Sequence, residues 1–296
     1  MSSSNLPFGR VLTAMVTPFT AVGALDTEKA GLLARHLVEN GSDGLVISGT
    51  TGESPTLSSD EKVRLFEAVV EAVGDRAMVV AGTGTYDTAG SVALSRRAAQ
   101  AGCGGVMAVT PYYNKPTQEG LVAHFQAIAD ATELPVLVYN IPSRTARLIE
   151  VSTLARLSAH PNIVATKDAV MDLDFTSLTV ETAPDVAVYS GQDSYTLPMM
   201  AVGAVGVVSV ISHLAGTAVA GMVAAAAGGD YERAAALHHA LMPLSVACFL
   251  ETNPGPVKAA LSESWEPVGT LRLPMVAPTE ETLRAVLKAL SALDGG

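Results

Sequence analysis

The chain has 296 residues, of which 49% are hydrophobic and 16% charged, a balance that fits a large interior and a sizeable subunit interface and excludes a disordered chain. Eighteen lysines and arginines against 29 acids give a net charge of −11 with no basic run, which argues against nucleic acid or an anionic membrane as partner. The length allows two ordinary domains or one large α/β barrel.

One unit recurs along the chain: an apolar, β-branched run ending in small or polar residues, then an alanine- and leucine-rich amphipathic stretch opened by a capping residue. The first run is Val11 to Pro18, followed by a predicted helix from Asp26-Thr27 to Asn40. Gly44 to Thr50 precedes a helix opened by Ser58-Ser59-Asp60-Glu61, and Met78 to Thr85 precedes one opened by Asp87-Thr88. Gly105 to Tyr113 leads into Thr117 to Thr132, and Pro135 to Pro142 into Val151 to Ser158. Ile163 to Lys167, Val186 to Gly191 and Gly206 to Ser212 complete the series, each trailed by a helical stretch.

Eight such units predict an α/β fold, a (β/α)8 barrel of parallel strands covered by helices. An open doubly wound sheet is disfavoured, because Thr17-Pro18-Phe19-Thr20 after the first strand is no glycine-rich dinucleotide loop. Beyond Gly229 the strands cease, and Tyr231 to Phe249, Pro256 to Ser264 and Thr279 to Leu293 read as helices. We therefore expect a catalytic barrel over residues 1–229 and a C-terminal helical domain over 230–296.

The stretch from Ala201 to Gly229 carries no formal charge and is long enough to span a bilayer. Its β-branched first part and alanine-rich second part, with His213 and glycines between, fit a buried strand and a buried helix better. Cys103 and Cys248 lie far apart outside any ligand spacing and read as reduced, buried thiols. The start, MSSSNLPFGR, lacks the apolar core of a signal peptide, so a cytoplasmic location is expected.

Barrel enzymes gather their chemistry at the carboxyl ends of the strands. There this sequence has Gly49-Thr50-Thr51-Gly52-Glu53, Gly82-Thr83-Gly84-Thr85, Thr110-Pro111-Tyr112-Tyr113-Asn114, Tyr139-Asn140-Ile141-Pro142-Ser143-Arg144, Lys167-Asp168 and Ser190-Gly191-Gln192-Asp193. Lys167 ends the sixth run, and period-2 alternation places it on one face with Ile163 and Ala165. It is either a lysine reaching out to solvent or a desolvated amine able to attack a ketone and form an iminium. Tyr139 is the best candidate to move the protons which that step requires.

The small residues of 49–53 suit a carboxylate site, with Thr50 able to pass a proton, or form a plain strand-to-helix turn. Arg144 is either a carboxylate clamp or a rim salt bridge, and Tyr112-Tyr113 is compatible with aromatic packing at a subunit interface.

The ordered motifs AMVTPF, GTTGES, VTPYYNKPTQEG, YNIPSRT, TKDA, YSGQD, GVVSV, NPGPVK and TLRLPM make nearly the whole chain similar to the dihydrodipicolinate synthase family. The resemblance implies a pyruvate Schiff base on Lys167 and a proton relay of Tyr139, Thr50 and Tyr113, with Tyr113 lent by a neighbouring subunit. It implies that Thr51 holds the pyruvate carboxylate and that Arg144 meets the carboxylate of L-aspartate 4-semialdehyde. Gly191 and Val208 would line the site, no coenzyme or metal would be needed, and the assembly would be a homotetramer of paired dimers.

A sister pyruvate-dependent aldolase, cleaving N-acetylneuraminate or a 2-keto-3-deoxy sugar, is the alternative. Arg144 and the YYNKP stretch speak against it. At the positions where lysine-inhibited family members bind their effector, this chain carries Ser59, Lys62, Tyr86 and Gly90. Without an acid there, and with Lys62 adding a like charge, lysine feedback is expected to be weak or absent.

Overall fold

The computed structural model describes residues 6–294. Eight parallel strands close into a barrel in chain order, from β1 pairing with β2 round to β8 pairing with β1. The strands are β1 Val11–Ala14, β2 Gly44–Ile47, β3 Met78–Gly82 and β4 Gly105–Val109. The other half of the barrel is β5 Val136–Asn140, β6 Ile163–Asp168, β7 Ala187–Ser190 and β8 Gly206–Ser209. Most end two to four residues before the apolar runs do, so the rim motifs after β2, β3 and β4 lie in loops that leave the hydrogen-bonded ladder, whereas Tyr139 and Lys167 remain within it.

The helices are α1 Thr27–Glu39, α2 Ser59–Val73, α3 Thr88–Gln100, α4 Gln118–Ala129, α5 Pro142–Thr145, α6 Val151–Leu157, α7 Leu173–Thr182, α8 Thr196–Ala201 and α9 Ser212–Ala227. After the barrel come α10 Tyr231–Ala247, α11 Gly255–Ser264 and α12 Glu280–Asp294. The caps expected from sequence are made: Asp26 accepts from the Lys29 amide, Ser58 and Glu61 form a reciprocal capping box, and Asp87 and Thr117 cap α3 and α4. The uncharged stretch 201–229 resolves into β8 and α9, and among the described residues no helix is long and apolar enough to cross a membrane. Cys103 and Cys248 are free and buried.

Two apolar layers build the molecule. Inside the barrel, Leu12, Val46, Val80, Met107, Leu137 and Val208 interdigitate as a filled core. Phe8 closes the amino end, its ring 6.4 Å from that of Tyr189, whose hydroxyl donates to the Gly9 carbonyl at 2.7 Å. The layer between strands and helices is one continuous cluster that also takes in Ala234, Leu241, Leu244, Val257 and Val286 from α10–α12. The C-terminal helices thus share the layer that covers the barrel and do not enter its interior.

One expectation is corrected at β6. Ile163 does not share a face with Ala165 and Lys167: it belongs to the outer layer, while Ala165 lines the interior. The cause is an irregularity against β5, where Val136 pairs with Ile163 but the next residue, Leu137, pairs with Ala165. The extra residue, Val164, resets the alternation, so that Lys167 turns inward with Ala165.

Candidate active site

Lys167 is the fifth residue of β6 and pairs with Tyr139 of β5 and Tyr189 of β7. Only 5% of it is exposed, and its Nζ lies 4.2 Å from the centroid of the Tyr139 ring. Burial lowers its pKa to about 8; the Asp193 carboxylate opposes this shift and the Arg144 charge adds to it. A useful fraction of neutral amine therefore exists near neutral pH, as a nucleophile requires.

Gly191 makes room for the lysine stem. A Cβ at this position would stand 3.1 Å from Lys167 Cε, 3.0 Å from the Asp168 carbonyl oxygen and 2.8 Å from Ala169 Cβ. Val208, on β8, is part of the barrel interior and is fully enclosed.

Tyr139 is also buried, and burial pushes its phenol up to about 12, against the pull of Arg144 and of a hydrogen bond with Thr50. The hydroxyl stays protonated at neutral pH and can give a proton while taking another. Tyr139, Thr50 and Arg144 line one cavity of about 210 Å³, together with Gly84, Tyr112 and Ile141. Lys167 is not part of that wall; its amine sits at the ring of Tyr139, which is.

Thr51 lies deeper, 4% exposed, with its hydroxyl oxygen accepting from Asn253 Nδ2 at 2.9 Å. Arg144 follows β5 on the short helix α5, and its Nη2 donates to the main-chain oxygen of Asn253 at 3.3 Å. It makes no ion pair with an acid among the described residues, which removes the rim salt bridge as an account of it. Its charge remains available to an anion entering the cavity.

Tyr113 is not brought to the other candidates within one chain. It stands 93% exposed on the loop after β4, with a left-handed φ of 70°. Tyr112 packs edge-to-face on Tyr86 with ring centroids 5.2 Å apart.

Three supporting groups escaped the sequence reading. Asp193, a rim residue to which its motif gives no role, is buried and accepts from Ser209 Oγ at 2.5 Å and from the amides of Val210 and Ile211 at 2.9 and 3.3 Å. Lys258 sits beneath the Gly49–Glu53 loop, where its Nζ donates to Glu53 Oε1 and the Thr17 carbonyl at 2.8 Å and to the Thr270 carbonyl at 2.9 Å. A lysine within the apolar run of 256–261 was the signal available for it. Asn253 opens the NPGPVK motif, but that motif does not disclose its role, since its partners lie 109 and 202 residues away.

A closed (β/α)8 barrel with a desolvated amine turned inward at its carboxyl end has the parts of a lyase that works through an imine. The profile of the Dihydrodipicolinate synthetase family matches residues 7–293, and the chain belongs to that family. It is 54% identical over 286 residues to the 4-hydroxy-tetrahydrodipicolinate synthase of Moorella thermoacetica, covering 96% of this chain and 98% of that one. A solved dihydrodipicolinate synthase of Bacillus anthracis is 46% identical with a TM-score of 0.93, covering 96% and 98% of the two chains. The structure of DHDPS from Cyanidioschyzon merolae with lysine bound is 41% identical with a TM-score of 0.95, covering 97% and 99%.

Proposed function

We propose that this enzyme condenses pyruvate with L-aspartate 4-semialdehyde to 4-hydroxy-tetrahydrodipicolinate through a Schiff base on Lys167. The observation that carries the reading is the buried amine, with its pKa lowered to about 8, at the ring of a protonated tyrosine. The names of the relatives support the product.

The neutral Lys167 amine attacks the keto carbon of pyruvate; nitrogen loses one proton, the former carbonyl oxygen gains two in turn through Tyr139, one to form the carbinolamine and one to leave as water, and the iminium remains. The iminium then withdraws electrons from the methyl group, whose proton leaves to give an enamine. The enamine carbon attacks the aldehyde, and the aldehyde oxygen is protonated. Finally the substrate's own amine adds to the imine carbon and expels Lys167. Thr50 and a Tyr113 from a neighbouring subunit extend the relay from Tyr139, Thr51 holds the pyruvate carboxylate, and Gly191 and Val208 shape the pocket. The iminium serves as electron sink, so the route calls for no coenzyme or metal.

Arg144, without an acid partner, favours a second substrate that carries a carboxylate over the sugar aldehyde of a sister aldolase. Borohydride reduction in the presence of pyruvate, followed by peptide mapping, should place a single adduct on Lys167; an adduct elsewhere, or none, refutes the mechanism. A coupled assay should show turnover with aspartate semialdehyde and none with N-acetylmannosamine.

The assembly proposed is a homotetramer of paired dimers. Exposed apolar side chains support it, among them Tyr86 and Tyr113 at the loops after β3 and β4, and Met171, Leu178, Val246 and Leu250. Sedimentation at assay concentration should give four copies; a fully active monomer excludes the loan of Tyr113. The enzyme is proposed to work in the cytoplasm.

A further inference from the structure

Asn253 lies in the segment between α10 and α11, remote from the barrel rim in sequence, yet it holds two of its groups. Its side-chain Nδ2 donates to Thr51 Oγ1 at 2.9 Å, and its main-chain oxygen accepts from Arg144 Nη2 at 3.3 Å. The residue is 5% exposed, and its Oδ1 is fully buried with no hydrogen-bond partner among the described residues. The carboxamide is therefore oriented by what it gives to Thr51.

A threonine hydroxyl has a single proton to donate and lone pairs to accept with. Once Thr51 Oγ1 accepts from the amide, its own proton must point away from Asn253. A carboxylate arriving at Thr51 then meets a donor, where a freely rotating hydroxyl would present a lone pair part of the time.

We propose that Asn253 is a positioning residue that sets the polarity of the Thr51 hydroxyl, holding it as a donor for the pyruvate carboxylate while its main chain anchors Arg144. The inference rests on the assignment of Thr51 to that carboxylate. It gives the C-terminal segment a part in substrate recognition in addition to its packing. Asparagine suits the position because aspartate has no N–H to give: Asn253→Asp would take the Thr51 proton for itself, and alanine would leave the hydroxyl free to rotate.

The test is the pyruvate KM, kcat and borohydride trapping of the full-length enzyme and its variants, with acetone as a ketone that lacks the carboxylate. Asn253→Asp should raise the pyruvate KM roughly 30-fold, and Asn253→Ala only about threefold, with kcat at saturating pyruvate changed less than about threefold. Acetone trapping at Lys167 should be the same in all three proteins, which a merely unfolded variant would not achieve. In a Thr51→Ala background the gap between aspartate and alanine at position 253 should vanish, because no hydroxyl remains to be turned.

A gap that persists there means simple charge repulsion and overturns the proposal. So does an Asn253→Asp enzyme with the wild-type pyruvate KM. If Asn253→Asp fails to fold, Asn253→Ala decides: it must raise the KM in the wild-type background and leave it unchanged over Thr51→Ala, and any other result refutes the inference. Failure of the wild-type enzyme to trap pyruvate at Lys167 instead removes the proposed function itself.

Discussion

At the scale of single residues the site turns on the protonation of Lys167. With its pKa lowered to about 8, the neutral fraction rises close to tenfold per pH unit below that value and levels off above it. The rate of adduct formation at subsaturating pyruvate should follow, climbing from pH 6 to 8 and flattening beyond; a flat profile across that window would show that the attacking amine is not this one. Lys167→Arg, which cannot shed its proton, should lose activity by at least about 10³-fold. Tyr139→Phe, which keeps the ring and removes the proton carrier, should lower kcat by about 10²- to 10⁴-fold while the protein still folds. Gly191→Ala brings a methyl group against Lys167 Cε and the Asp168 carbonyl, and trapping with pyruvate and with acetone should fall together. That joint loss separates crowding of the lysine stem from a defect in carboxylate binding.

At the scale of elements, the loop after β2 is held from below by the C-terminal segment. Glu53 adopts a left-handed φ of 55° and is 3% exposed; its carboxylate accepts from Lys258 Nζ and from the Arg272 amide, each at 2.8 Å. The Arg272 guanidinium continues to Glu61 at 2.5 and 3.0 Å, and Arg272 and Lys258 both stack on Phe19, 4.3 Å from its centroid. Lys258→Met leaves Glu53 as a buried carboxylate without its cation and should cost about 3–5 kcal/mol in denaturant unfolding. Adding Glu53→Gln to that variant should recover part of the loss; no recovery would show that the packing of the lysine stem, and not the ion pair, dominates. At β6 the irregularity at Val164 matters as much. Without it the strand would present Lys167 on the same side as Ile163, toward the helices and away from the cavity.

At the scale of the whole molecule, two enclosed imidazoles couple folding to pH. His213 accepts from the Val16 amide at 3.1 Å and contacts the Val210 carbonyl at 2.8 Å through Nδ1, and burial lowers its pKa to about 4. His124 pairs with Thr88 Oγ1 at 2.9 Å, and burial takes it to about 4 as well. Both are neutral in the fold, whereas the unfolded chain takes up protons near pH 6.5. Their contribution is complete above pH 6.5 and is lost between 6.5 and 4, at up to about 1.4 kcal/mol per pH unit for each. Unfolding free energy should therefore drop through that window, and His124→Asn should make the drop shallower if the protein retains its native spectrum. Regulation belongs at this scale too. Lys62 is 6% exposed with its pKa lowered by burial, the positions of Ser59, Tyr86 and Gly90 carry no acid, and the neighbouring Asp87 is engaged in capping α3 through the Ala89 and Gly90 amides, so added lysine at low millimolar concentration should inhibit weakly or not at all.

The sequence by itself determined the barrel, because each strand and helix carries its own local signal: β-branched apolar runs, Asp26, Ser58, Asp87 and Thr117 as caps, and eight repetitions that leave little choice of closure. It also marked Lys167, Tyr139, Thr50 and Arg144 by their place at or just beyond the carboxyl ends of strands, since a parallel barrel converts chain order into a ring. What only the tertiary structure decided are contacts between residues far apart in the chain: Asn253 on Thr51 and Arg144, Lys258 under Glu53, and the turn of β6 that aims the amine. Such contacts leave no periodicity, because polar groups separated by some 200 residues are matched by the closing of the core and not by anything in their neighbourhood. Tyr113 shows the same limit from the other side. Its motif marks it as a site residue, but the fold of a single chain leaves it 93% exposed, and nothing in its neighbourhood tells which surface would cover it.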